Sequence, residues 1–116
     1  MEVNMKVAFF IDKKRTEVSD GSFIPREVTA VFVESGNYLY KDCYTHGGQH
    51  GTCGVDWLAE NCRPAHYAEY IDLYNDITNR VGYQLDVMDA EMWIEQAMAH
   101  YNAIQEYYKG TRNKAA

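Results

Sequence analysis

The chain has 116 residues and a formal net charge of −6, with 47% hydrophobic and 24% charged residues. This composition is typical of one globular domain spanning residues 1–116, and it excludes collagen-like, low-complexity and fully disordered proteins. The first long apolar run, Val7–Ile11, is far shorter than the roughly 20 residues of a membrane span, and the N-terminus lacks the apolar core of a secretory signal. Three cysteines, an odd number, favour a reducing compartment. We therefore expect a cytoplasmic protein with no membrane contact.

The first half of the chain predicts three strands. Each candidate segment is rich in β-branched and aromatic residues, and in the first of them Val7, Phe9 and Ile11 share one face. The second candidate is apolar almost throughout, which suggests burial on both faces, and a Ser-Gly-Asn turn joins it to the third as a hairpin. The predicted strands are Met5–Asp12, Val28–Glu34 and Tyr38–Cys43.

The segment Tyr44–Gly54 predicts a loop. It holds four glycines and two histidines but almost no aliphatic residue, so it is not expected to contribute to the core. The segment Asp56–Glu60 predicts one helical turn, with Trp57 and Leu58 packed beneath this loop.

An amphipathic helix and a strand follow. Pro64 is well placed as a first helical residue, and apolar residues then recur at helical spacing to about Asn79. The segment Tyr83–Val87 alternates with period two, which predicts a short strand in the same sheet.

The chain ends in a second long helix. Asp89 is the expected N-cap, Gly110 the expected end, and residues 111–116 are expected to fray. The order β-β-β-loop-α-β-α predicts an α+β fold, in which a mostly antiparallel sheet of about four strands carries two helices on one face.

Acidic residues are concentrated in the C-terminal half. Between Pro64 and Glu95 there are seven acids and one base, so this segment accounts for the whole net charge. On a helix, Glu69, Asp72 and Asp76 fall in one stripe opposite the apolar face. Such a stripe either keeps the protein soluble or binds a basic partner. The candidate partner-binding residues are Glu69, Asp72, Asp76, Asp86, Glu91 and Glu95.

Cysteines and histidines gather around the predicted loop. Their short gaps resemble metal-ligand spacing, and the glycines between them permit tight turns, so zinc is the candidate metal. The competing interpretation is structural, with the cysteines as small buried residues and the histidines hydrogen-bonded to the loop. The candidate ligands are Cys43, His46, His50 and Cys53, with Cys62 and His66 as alternates.

Two further chemistries are open to the same segment. A histidine could activate a cysteine as a nucleophile, and backbone amides between Gly47 and Gly51 could bind an anion. The sequence contains neither a nucleophile elbow nor the lysine and hydroxyl residue of a P-loop, so it assigns no catalytic residue.

Most of the helical tyrosines fall on the predicted core faces, where they pack. Tyrosine is also enriched in binding hot spots, because it offers a large contact area with few rotatable bonds. The tyrosines that fit this second role are Tyr38, Tyr40, Tyr44 and Tyr107.

Three segments, Tyr44–His50, Glu69–Tyr74 and Val81–Val87, resemble small uncharacterised proteins encoded by bacteriophages and mobile elements. The resemblance covers about the central third of the chain. It implies an accessory role in a host cell, of the kind in which an acidic phage protein imitates phosphate charge and blocks a host defence nuclease.

These observations predict a small, acidic, non-enzymatic binding protein of the host cytoplasm. Its expected partner is a host protein with a basic surface, met through the acidic helix face, and no direct binding of nucleic acid is expected because the net charge is negative. The alternative is a zinc-binding or Cys/His-dependent module built on the Cys43–Cys62 segment.

Overall fold

The computed structural model describes the backbone of residues 4–45 and 49–115, and the side chains of these residues except Gln49 and residues 111–115. The helices are α1 (Val55–Asn61), α2 (Tyr67–Asp76), which continues as a π-helical turn (Ile77–Val81), and α3 (Ala90–Ala115). The strands are β1 (Asn4–Asp12), β2 (Thr16–Glu17), β3 (Phe23–Ile24), β4 (Val28–Phe32), β5 (Tyr40–Thr45), β6 (Gln49–Gly54), β7 (Cys62–Pro64) and β8 (Gln84–Val87).

In the part of the chain that the structure describes, the main sheet has six strands arranged around β1, in the order β6-β5-β4-β1-β7, with β8 also beside β1. On one side β1 pairs antiparallel with β4, where Phe9 lies opposite Ala30. On its other side, β7 pairs antiparallel with the end of β1 and β8 pairs parallel with its beginning. β2 and β3 form a separate small sheet. The predicted α+β class is confirmed, whereas the sheet has six strands instead of about four.

Helices cover both faces of this sheet. On one face Phe9 packs in a cluster with Leu73 of α2, and on the other Phe10 packs with Leu58 of α1 and Trp93 of α3. Successive side chains of a strand point to opposite faces, so an unbroken apolar strand needs cover on both sides. The prediction of two helices on one face is therefore wrong.

The predicted loop Tyr44–Gly54 contains the end of β5 and the edge strand β6. The two strands pair from Tyr40 opposite Gly54 to Thr45 opposite Gln49. Backbone hydrogen bonds to a single neighbour hold an edge strand, so it does not need the aliphatic residues that we expected of a strand here. Residues 46–48, between the two strands, lie outside the described part of the chain.

The long helices differ from expectation at their ends. Pro64 lies in β7 opposite Phe10 and does not begin α2. Asp89 caps α3 as predicted, since its carboxylate accepts a hydrogen bond from the Met92 N–H at 3.0 Å. α3 then continues through Gly110, because a glycine inside an exposed helix costs only about 1 kcal/mol.

Candidate functional site

The first acid of the predicted stripe, Glu69, is held by an arginine. Its carboxylate accepts hydrogen bonds from both terminal nitrogens of Arg63, at 2.9 and 2.8 Å, and from the backbone N–H of His66 at 2.9 Å. These bonds join the end of β7 to the first turn of α2. They hold the pKa of Glu69 down at about 2, chiefly through the Arg63 guanidinium.

This ion pair gives a testable pH dependence. Glu69→Gln should lower the free energy of unfolding by about 1–2 kcal/mol at neutral pH, a figure reduced for the exposure of both side chains to water. Because the folded pKa lies below the ordinary value of 4.5, the stabilisation is present above pH 4.5 and is lost as the pH falls towards 2. Urea unfolding at several pH values measures this effect.

The matched control is Asp72→Asn, one turn further along α2, which removes an exposed carboxylate that makes no described ion pair. Its effect should stay below about 0.5 kcal/mol at every pH. Equal losses in the two variants, or a loss in Glu69→Gln that persists at pH 2, would contradict the assigned role of Arg63.

A second arginine meets the last acid of the stripe. Arg80 donates hydrogen bonds to Asp76 at 2.8 and 3.1 Å and to the Tyr44 hydroxyl at 2.6 Å. The Tyr44 ring is buried, and the His50 ring meets its edge at 4.8 Å between centroids. Tyr44 therefore anchors the helical layer to the sheet and does not offer a free recognition surface.

The remaining candidate acids do not extend the stripe into one surface. Asp72 is exposed on α2, and Asp86 is exposed on β8 at the side of β1. Glu91 and Glu95 are exposed on α3, which packs on the opposite face of the sheet from α2. The six acids thus lie on three elements, and arginines neutralise two of them.

The predicted zinc ligands are divided between the two faces of the sheet. Cys43 and Cys53 lie in the cluster beneath α1 and α3, whereas His50 contacts Tyr44 on the α2 face. His46 lies outside the described residues. Of the alternates, Cys62 joins the other two cysteines in their cluster, and the exposed His66 precedes α2. Among the described residues, no group of three or more potential ligands could hold a metal ion, so zinc has no support in this geometry.

The three thiols differ in character although they share one cluster. A hydrogen bond from Cys53 lowers the pKa of Cys43, and the same bond, with burial, raises the pKa of Cys53. Burial and the nearby Asp12 carboxylate raise the pKa of Cys62 to about 12. Cys43 is therefore the thiol of the three with the strongest thiolate character.

Aromatic residues from the β4–β5 turn and α3 meet the first turn of α1. The Tyr38 ring lies 6.2 Å from His100 and 6.5 Å from Tyr101, measured between centroids. A methyl group placed on Gly54 would lie 2.9 Å from an Asp56 carboxylate oxygen and 3.8 Å from the Tyr40 ring. We call this group of side chains the aromatic patch; its members are Tyr38, Tyr40, Asp56, His100 and Tyr101.

The aromatic patch combines solvent access with a negative charge. Tyr40 is 56% exposed, and the neighbouring Trp57 is 48% exposed at its border. Partial burial raises the pKa of Tyr101, and the Asp56 carboxylate raises it further. The Tyr101 hydroxyl therefore stays neutral beside the carboxylate, and the patch combines one negative charge with several aromatic rings.

Sequence reasoning identified only part of this patch. Tyr38 and Tyr40 were candidates for recognition, but Tyr101 was assigned to the core face of its helix and Asp56 to a short helical turn. Tyr101 is half-buried on α3 and belongs to neither described core cluster. Its proximity to Asp56 depends on how α3 packs against α1, and no local pattern encodes that contact. The fourth tyrosine candidate, Tyr107, is 69% exposed and lies near the end of α3, against Tyr108.

No helix in the described part of the chain combines the length and the apolar character that crossing a bilayer requires. Comparisons with protein-family models, with curated proteins and with solved structures found no match to this chain. The functional interpretation therefore starts from the side chains and their contacts.

Proposed function

We propose that this chain is a non-enzymatic binding protein whose partner is a protein with a basic surface, and that the aromatic patch is the contact site. The observation that carries this proposal is the contact between Tyr101 and the exposed Asp56 carboxylate, with Tyr40 beside Gly54 and Tyr38 against the Tyr101 ring. The resemblance of the central third of the chain to phage-encoded proteins supports a host protein, such as a defence nuclease, as the partner.

The chemistry of the patch fits an arginine or lysine side chain. A cation over a tyrosine ring gains about 0.5–2 kcal/mol, more as water is excluded, and the Asp56 carboxylate adds a charge-assisted hydrogen bond. The rings at the same time cover the apolar stem of the cation. Aromatic residues at the centre of an interface and a charge complementary to the partner are the features that give binding strength and selectivity.

The acidic stripe on α2 is the competing contact site. Glu69 and Asp76 already form ion pairs with Arg63 and Arg80. These ion pairs would have to break before the two carboxylates could bind a new partner. Breaking such a pair costs part of what the new contact gains. Asp56 forms no ion pair with a described residue, and its contact with the neutral Tyr101 hydroxyl is weaker than a bond to an arginine, so its charge is available at a lower cost.

The test is an NMR titration of isotope-labelled protein with a short glycine-serine peptide that contains one arginine. A second peptide carries citrulline, which keeps the shape of arginine but not its charge. We expect chemical-shift changes centred on Tyr40 and Asp56 with the arginine peptide and none with the citrulline peptide. Asp56→Asn should weaken binding about five- to tenfold, since it removes the charge and keeps the side-chain volume.

Asp72→Asn is the matched control, because it removes one exposed carboxylate from the acidic stripe. Its affinity for the arginine peptide should equal that of the unmodified protein. Shifts centred on α2 and lost in Asp72→Asn would move the contact to the acidic stripe. Shifts spread over the surface and insensitive to both substitutions would reject the proposal.

A further inference from the structure

Two cysteines lie side by side on adjacent strands at the edge of the sheet. Cys43 of β5 pairs with Gly51, and Cys53 lies two residues beyond Gly51 on β6. Residues two apart on a strand share a face, so the two side chains are diagonal neighbours on the same side of the sheet. The two thiols lie close enough that Cys53 lowers the pKa of Cys43, while the pKa of Cys53 is raised.

The two cysteines share one cavity. Each cysteine retains 8% of its surface, and both line a cavity of about 370 Å³. Threonines from β4, β5 and β6 line the same cavity, with Glu27 and Trp57 also at its wall. Cys62, which belongs to the same cluster, does not line this cavity.

We propose that Cys43 and Cys53 form a site of reversible oxidation, closed by a small disulfide compound that enters this cavity. The Cys43 thiolate attacks one sulfur of the compound, forms a mixed disulfide and releases one thiolate. The Cys53 thiolate then attacks the Cys43 sulfur, forms the Cys43–Cys53 bond and releases the second thiolate. The protein loses two electrons and two protons, and the small disulfide takes them up as two thiols.

The order of attack follows from the environments of the two thiols. The thiolate is the reacting form, and the hydrogen bond from Cys53 favours it at Cys43. Once Cys43 carries the mixed disulfide, its hydrogen bond no longer raises the pKa of Cys53, although burial still does, and Cys53 becomes the second nucleophile. Cys62, with its pKa raised to about 12, should stay a thiol throughout.

The edge position of β6 allows the bond to close. Diagonal neighbours have Cα atoms roughly 7–8 Å apart, and a disulfide needs about 4.4–6.8 Å, so the strands must approach. Among the described strands β6 pairs with β5 alone, and Gly51, opposite Cys43, has no side chain to keep the two strands apart. A disulfide closed in this way should be strained and therefore easily reduced again.

The test uses the fully reduced, folded chain and bis(2-hydroxyethyl) disulfide as the probe. Intact mass spectrometry should show the loss of two hydrogen atoms, and alkylation after unfolding should then label one thiol instead of three. Chymotrypsin cuts after Tyr44 and therefore separates Cys43 from Cys53 unless a disulfide joins their peptides. Dithiothreitol should restore three alkylated thiols.

Serine variants separate the proposed pair from general thiol reactivity. Cys53→Ser should stop at the mixed disulfide on Cys43, which adds the mass of one probe thiol less two hydrogen atoms, and Cys62→Ser should form the internal disulfide like the unmodified chain. The same reaction in 6 M urea shows which cysteines form disulfides with each other when the chain is unfolded. The proposal is overturned if the folded chain resists the probe, if Cys62 enters the disulfide, or if the folded and unfolded chains give the same mixture of pairings.

Discussion

Phe9→Ala and Phe10→Ala should each lower the free energy of unfolding by about 3–5 kcal/mol, although these neighbours in sequence pack on opposite sides of the sheet. Phe9 stacks on Tyr70 of α2 at 4.3 Å between ring centroids, with the rings nearly parallel. Phe10 meets the edge of Trp93 of α3 at 5.9 Å. Both phenylalanines are 1% exposed, so each truncation leaves a cavity in a different cluster. Urea unfolding followed by circular dichroism measures both losses.

Double-mutant cycles, in which each aromatic residue of a pair is replaced by leucine, test this prediction most directly. The Phe9–Tyr70 and Phe10–Trp93 pairs should each show a coupling of about 0.5–1.5 kcal/mol, the range for aromatic ring pairs. The crossed pair, Phe9 with Trp93, should be additive to within about 0.5 kcal/mol, because the sheet separates the two side chains. A crossed coupling as large as the direct ones would mean that α2 and α3 cover the same face.

The fold could be predicted where one local pattern decides it. Continuous apolar residues identify β1 and β4, and helical spacing identifies α2 and α3 to within a few residues at their starts. The strand β7 has only three residues, one of them Pro64. It forms because its backbone pairs with the end of β1. β6 has no alternating pattern at all. Its pairing depends on β5, which is a contact between segments and not a property of either.

The prediction of how the helices cover the sheet was wrong for a related reason. We used Val7, Phe9 and Ile11 to define one core face and left Ala8 and Phe10 without a role. The structure buries all five residues, which fixes α2 on one side and α1 with α3 on the other. An unbroken apolar strand predicts cover on both faces, and that inference was made only for the second strand.

The candidate sites, too, could be predicted only where a local pattern decides which residues come together. Helical geometry placed the three acids of the stripe, and the four-residue spacing of Asp76 and Arg80 is a pair that sequence alone could have identified. The Arg63–Glu69 pair depends on how the chain enters α2 from β7. The division of His50 from Cys43 and Cys53 depends on the register of an edge strand, in which a shift of one residue would exchange the faces.

Gly36→Ala should cost about 2–4 kcal/mol of folding stability and should also weaken the aromatic patch. Gly36 has φ +67°, a conformation in which an alanine is strained by about 1–2 kcal/mol. An added Cβ would in addition overlap the backbone carbonyl oxygen of Tyr40, so the turn would have to open. In that turn the Asn37 side chain accepts hydrogen bonds from the backbone N–H groups of Leu39 and Tyr40, at 2.8 and 3.0 Å.

Gly82→Ala is the matched control for this substitution. Gly82 has φ +91°, but no atom lies within 4 Å of an added Cβ, so the alanine there pays only the conformational strain of about 1–2 kcal/mol. The two variants should therefore differ in unfolding free energy by roughly the cost of opening the turn at Gly36, about 1–2 kcal/mol. Equal losses in the two variants would show that the turn absorbs the added methyl group without moving.

The same pair of variants connects the turn to binding. Gly36 precedes Tyr38 and Tyr40, so opening the turn displaces two rings of the aromatic patch, whereas Asp56 lies on α1, which the turn meets through the Val55 N–H bond to the Leu39 carbonyl at 2.8 Å. At a temperature where both variants are fully folded, Gly36→Ala should bind the arginine peptide several-fold more weakly than Gly82→Ala, since each displaced ring removes about 0.5–2 kcal/mol of cation contact. Retained affinity in a folded Gly36→Ala protein would mean that the peptide meets Asp56 without the tyrosines, and the patch would then be an isolated carboxylate.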